Sequence, residues 1–215
     1  MTADIKKNGF SLLEIMIALS IGLVLIGTLL MIVSQTRASY NVVTALANIQ
    51  ENGRFAFVFL SNAIQRAKTI LVYPHDHLPI NFQGQVISGS DVLVVQHEQD
   101  REAYFVANTH RLNERGQSIY ALYEKKYLPG VETMRRELVS GVDSMHIYFN
   151  SGSKKIVQLL FIDLYLNSIE PLAAGLVPFI YTHDADSFFA KDLRLHRQWP
   201  VPILLKHQDV KYEQG

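Results

Sequence analysis

Hydrophobic and polar positions divide the chain into three regimes. Residues 15–33 form a run of 19 positions without a charge. As an α-helix such a run rises about 28 Å, close to the ~30 Å hydrocarbon thickness of a bilayer. From 35 to 68 there is no proline and a single glycine, Gly53, and the pattern becomes amphipathic. Val42, Val43, Leu46, Ile49, Phe55, Val58, Phe59, Ala63, Ile64 and Ala67 recur in steps dominated by three and four, with Asn41, Asn48, Glu51, Arg54, Asn62 and Arg66 between them. The pattern predicts a continuous helix from 10 to about 67, in a joining segment that runs to 72 and stops before Tyr73-Pro74.

Beyond that point the period shortens to two. Residues 73–90 contain Pro74, Pro79, Gly84 and Gly89 and predict a loop. Strands follow at 91–98 and 102–109 around a tight turn at 99–101, and at 117–125, where Ile119, Ala121 and Tyr123 oppose Tyr120, Leu122 and Glu124. A strand over 138–150, a turn at 150–153 and a return over 156–167 come next. The last run is apolar on both faces, which predicts a central strand under the helix. Residues 193–207 supply an edge strand, where Pro200 and Pro202 are tolerated. The fold class is α+β. A long N-terminal helix, apolar in its first half and amphipathic in its second, packs by its C-terminal half on a mostly antiparallel β-sheet head. The organisation is 1–9 as a short polar leading segment, 10–33 as an apolar helix, 34–72 as the joining helix and 73–215 as the head.

Charge adds a topology and subtracts several functions. The chain carries 20 Lys/Arg and 20 Asp/Glu; two of each precede residue 34, so the remainder is balanced too. Such balance argues against nucleic acid as a partner. The basic doublets Lys125-Lys126, Arg135-Arg136 and Lys154-Lys155 do not alter that, because neighbours on a strand point to opposite faces. The chain has no cysteine, which excludes disulfides, thiolate nucleophiles and cysteine-ligated metals. Lys6 and Lys7 directly before the apolar run place the N-terminus on the cytoplasmic side and residues after 34 on the other. The run exceeds the about 7–15 residues of a secretory signal core, which weighs against cleavage after Ala38.

Candidate chemistry is sparse. His75-Asp76-His77 and His183-Asp184-Ala185-Asp186 fall in predicted loops without further ligands at a known spacing, so solvated polar residues are the expectation and no cofactor is called for. Asp184 and Asp186 are the better calcium candidates of the two groups. No hydrolase, P-loop or dinucleotide motif occurs, and no enzymatic activity is expected. The 22 aromatic residues are expected mainly in the core, with a surface-adhesion platform as the sharper alternative. Glu14 is the exception. A charge at mid-bilayer costs about 2.5–3.5 kcal/mol, less near the end, and an acid at the edge of an apolar helix calls for a cation.

The stretch Gly9-Phe10-Ser11-Leu12-Leu13-Glu14 followed by about 20 apolar residues resembles the class III signal of type IV pilins and pseudopilins. The resemblance implies that a prepilin peptidase cuts after Gly9 and that Phe10 becomes an N-methylated N-terminus. It also implies that Glu14 is retained in the helix. The freed Phe10 amine of one subunit would then pair with Glu14 of a neighbour, relieving two desolvated charges and fixing axial stagger. Gly22 and Gly27 either allow bending or allow close helix approach. Glu51-Asn52-Gly53-Arg54-Phe55-Ala56, Gln65-Arg66-Ala67 and Ser90-Asp91-Val92-Leu93-Val94-Val95 are similar to segments of PilW-type minor pilins, although Ala67-Lys68 stands where relatives often have Gly-Cys. Implied partners are the prepilin peptidase, other minor and major pilins through the N-terminal helix, and an inner-membrane assembly platform. Implied location is the inner membrane, then the pilus. Implied roles are assembly initiation, adhesion and twitching motility. A J-like type II secretion pseudopilin is the nearest alternative, and a membrane-anchored or exported binding or hydrolase domain a more distant one.

Overall fold

The computed structural model describes residues 11–98, 100–127, 134–150, 158–169, 180–183, 186–189, 196–205 and 209–212. Helix α1 spans Leu12–Arg66. Its chain falls into two compact units, 1–41 and 42–215.

In the first unit the helix is exposed along nearly its whole apolar run, Gly22 and Ala38 being partly covered. None of its most apolar window is buried, so its large side chains await lipid or other helices.

In the second unit the helix buries Ile49, Gly53, Ala56, Leu60, Ala63 and Ile64. This corrects the face expected from the sequence. Val43, Phe55 and Val58 are exposed, while Ala56 and Leu60 are in the core. The reason lies at Gly53, where an added Cβ would stand 2.5 Å from the Trp199 ring. The small side of the helix faces the sheets, and the bulkier Phe55 stacks along the outside on Phe59 at 6.5 Å. A second correction concerns the end of the helix. The joining segment is not helical to 72: strand β1 occupies Thr69–Tyr73. Its alternating burial, with Ile70 and Val72 inside, is a period of two rather than 3.6.

A short 3₁₀ turn at His75–His77 follows, then β2 (Val92–Gln96), β3 (Arg101–Leu112), β4 (Ser118–Tyr127) and β5 (Met134–Ser140). Next come β6 (Val142–Asn150), β7 (Gln158–Asn167), β8 (Ile180–His183), β9 (Asp186–Phe189), β10 (His196–Leu205) and β11 (Asp209–Tyr212). A six-stranded sheet has the order β11-β1-β2-β3-β4-β5, and a three-stranded sheet the order β10-β7-β6; β8 and β9 pair with each other. All pairings are antiparallel except β1 with β11. β7 is central and the proline-bearing β10 lies at an edge, as the sequence predicts.

The single strand expected over 138–150 is instead two strands in different sheets. The chain breaks at Gly141, whose φ is 73°. There its N–H donates to the Tyr120 carbonyl on one side and its own carbonyl accepts from the Asn167 N–H on the other, both at 2.8 Å. Ser90 and Asp91 tie the sheets a second time. The buried Asp91 carboxylate accepts from His75 N–H at 2.9 Å and from Ile147 N–H at 2.8 Å. The helix and both sheets share one core, which includes Ile64, Ile70, Leu93, Leu122, Met145 and Leu164. A smaller cluster built on Phe82, Phe105 and Tyr123 covers the opposite face of the six-stranded sheet.

Candidate functional site

The one acid in the apolar region lies in the first turn of α1. Ser11 precedes the helix, and Glu14 stands three residues later. Glu14 N–H donates to Ser11 Oγ at 3.2 Å, and Ser11 N–H donates to Glu14 Oε2 at 2.8 Å. This reciprocal pair is a capping box: each side chain satisfies a backbone N–H that the helix start leaves without an intrahelical acceptor. A carboxylate also opposes the positive end of the helix dipole. Serine followed three residues later by glutamate before an apolar run is a readable signature, and the role of Ser11 as the cap is absent from the expectations above.

Glu14 borders a shallow groove along one helical face that includes Ile15, Ala18, Gly22 and Ile26. Glu14, Ala18, Gly22 and Ile26 succeed one another at intervals of four, so the acid and the two small residues share a stripe. Added bulk at Gly22 or Gly27 would meet no atom within 4 Å among the described residues. Small residues at such spacing admit a close helix neighbour. The junction residues Gly9 and Phe10 lie outside the described residues, as does Asp184. Asp186 begins β9, where only its backbone is described.

A second concentration of charge lies in the head on the helix-facing side of β3 and β4. Tyr104, 2% exposed, donates to Glu102 Oε2 at 2.7 Å, with Glu124 Oε1 at 3.2 Å. Lys126 Nζ is 2.6 Å from Glu102 Oε1, and Arg136 is 2.8 Å from Glu124 Oε2. His97 bridges from the Arg66 carbonyl, 3.2 Å from Nδ1, to Glu102, 3.6 Å from Nε2. Burial pushes the Glu102 carboxyl up, but the Lys126 and Tyr104 hydrogen bonds outweigh it and hold the group below its usual range. Burial and the Glu102 partner drive the Tyr104 phenol far up, so it stays a donor. All four carboxylate oxygens are occupied, which makes this a closed ion cluster fastening the end of α1 to the sheet. His75 similarly engages Asp76 at 2.9 Å and Asp91 at 3.5 Å. Two of the three basic doublets divide as expected: Lys126 and Arg136 serve the ion cluster, whereas Lys125 and Arg135 lie opposite each other on the other face, and Lys154-Lys155 lies outside the described residues.

A family model described as the prokaryotic N-terminal methylation motif matches residues 5–30. No curated protein and no solved structure matches the chain. The matched segment contains the Gly9-Phe10 junction, the Ser11–Glu14 box and most of the exposed apolar run. It implies processing by a prepilin peptidase, membrane anchoring and assembly with other pilins in general. The N-terminal methylation motif thus indicates a protein of the type IV pilin-like and pseudopilin-like class.

Proposed function

We propose that the chain is a minor subunit of a type IV pilus. It acts at the initiating end or tip of the fibre, with effects on adhesion and twitching motility. It is a structural component and a peptidase substrate, not an enzyme. The observation that carries this is the placement of Glu14 on the same stripe as Ala18 and Gly22, on a helix whose apolar surface is uncovered. An acid at the edge of such a stripe is suited to receive a neighbour's terminal ammonium when two helices close up. The capping box holds the carboxylate at the helix start, where the Phe10 amine is generated by cleavage after Gly9. The PilW-like segments favour the pilus over a J-like secretion pseudopilus. Asp91, in one of those segments, ties the two sheets through His75 and Ile147.

Intact-mass analysis of the protein from membranes and sheared fibres tests the proposal. A species beginning at methylated Phe10 and present in fibres is expected. Gly9→Ala should leave the leader attached, and Glu14→Ala should mature normally but be lost from fibres. Fibre incorporation at normal levels by both variants would refute it. Recovery with a secretion pseudopilus and not with pili would move the chain to the alternative.

A further inference from the structure

The chain's zero net charge conceals a segregation between the two faces of its six-stranded sheet. On the helix-facing side, Lys126 and Arg136 are matched by Glu102 and Glu124. On the other side Arg101, Lys125, Arg135 and Lys211 project from β3, β4, β5 and β11, by the alternation of the register with the buried Leu122 side. Among the described residues none of these four has a carboxylate within ion-pair distance. Of the acids that the register puts on this face, Glu137 is taken up by Arg111, and Asp209, two residues before Lys211, is described in its backbone alone.

The cations alternate with aromatic rings. Arg135 lies 3.8 Å over the Tyr123 ring and 5.5 Å from that of Phe105. Lys125 lies 5.4 Å from the Tyr127 ring, and Arg101 donates to the Tyr73 hydroxyl at 3.1 Å. Lys125 and Arg135 are directly opposite in register, and Arg101 is opposite Tyr127. Lys125 is therefore about 5–8 Å from Arg135 and Arg101, while Lys211, three strands from Arg101, stands at least about 14 Å away on a platform about 24 Å wide across six strands. The segment 78–90, which packs on this face through Phe82, adds no charge.

We propose that this outer sheet face binds single-stranded nucleic acid. Unmatched cations supply phosphate contacts, and the partly exposed Tyr73 and Tyr127 rings beside them supply stacking surfaces, Phe105 and Tyr123 being buried beneath, which is the combination that holds a flexible polyanion with exposed bases. Anionic lipid or an acidic polypeptide would use the charges but not the rings. The inference rests on the head alone and is independent of the pilus proposal.

The test uses the full-length protein in a neutral detergent and fluorescence anisotropy with a labelled oligothymidylate of about 20 nucleotides. Four phosphate contacts predict a log–log salt slope of about −2.8, hence about 50-fold weaker binding at 200 mM than at 50 mM salt. Lys125→Ala and Lys211→Ala should each flatten the slope by about 0.7. Tyr127→Ala should weaken binding about tenfold, and Arg115→Ala, on an exposed loop, should change neither. Folding of each variant is checked by circular dichroism. Absence of binding at 50 mM salt, or an unchanged slope in the folded lysine variants, would overturn the proposal. So would equally tight binding of a duplex, of anionic phospholipid vesicles or of polyglutamate.

Discussion

Replacing Gly53 by alanine sets two opposing effects against each other. In an exposed helix interior the change is stabilising, by about 1 kcal/mol, because glycine carries the larger backbone entropy cost. Here the new Cβ would meet three atoms of the Trp199 indole at 2.5, 2.8 and 2.9 Å. A rigid ring cannot clear that overlap by rotating a terminal atom, so helix and β10 must separate or the indole must leave its place. Overpacking costs about 1–3 kcal/mol, and three contacts this short argue for the upper part of that range. The expected net loss is about 1–2 kcal/mol, or roughly 3–6 °C in Tm for a domain of this size. Thermal unfolding of the full-length protein in detergent, followed by circular dichroism, measures it. In a Trp199→Ala background the overlap is gone and Gly53→Ala should instead stabilise, giving a coupling of about 2 kcal/mol in the double-mutant cycle. A Tm that rises on Gly53→Ala in the unaltered background would refute the packing of α1 on β10.

Three further outcomes are expected. Gly141→Ala forces a non-glycine residue into positive φ and brings a Cβ 2.8 Å from the Asn167 carbonyl; a loss of about 2–3 kcal/mol in chemical denaturation is expected, since strain and overlap add. Lys126→Met removes the partner that keeps the buried Glu102 ionised, and because Lys126 is itself 41% exposed the expected loss at neutral pH is a discounted ~1–3 kcal/mol. In the unaltered protein the folded Glu102 titrates below its unfolded value, so its contribution is present above the ordinary glutamate range and disappears as pH falls through the folded pKa; in Lys126→Met that decline should begin at higher pH, read as Tm against pH. Ser11→Ala deletes one half of the capping box at a cost of about 0.5–2 kcal/mol of local helix stability, and amide exchange at Glu14 should accelerate severalfold or more while exchange in the head stays unchanged.

The helix, the strand order near its hairpins and the acid at the membrane edge were legible because each is a local pattern. A charge-free run, a change of period and a lone acid beside an apolar run need only neighbours in sequence; the Ser11-x-x-Glu14 box was equally local and went unread. What escaped is long-range. The orientation of α1 depends on Trp199 finding Gly53, residues separated by most of the head. The helical period continued past Arg66 in appearance only, because Ile70 and Val72 are apolar for either element until β2 pairs with them. The break at Gly141 looked like an ordinary glycine within a strand, since nothing nearby announces that Tyr120 and Asn167 belong to different sheets. Charge balance was legible as a sum, but its division between two faces depends on which side of β4 points at the helix. The acid of the candidate site could be singled out from its neighbours in sequence, while the stripe that surrounds Glu14 required the helix to be drawn in three dimensions.

The parallel pairing of β11 with β1 has a consequence for how the head matures. Thr69–Val72 and Asp209–Tyr212 come from opposite ends of the β-rich region, so the border of the large sheet beside β1 stays bare until nearly all of that region has been synthesised. During that interval an open row of amides and carbonyls invites pairing with any other extended chain. A subunit destined to meet many copies of similar proteins at the membrane thus carries its own late-arriving cover, and removing those four residues should favour aggregation long before it weakens the finished core.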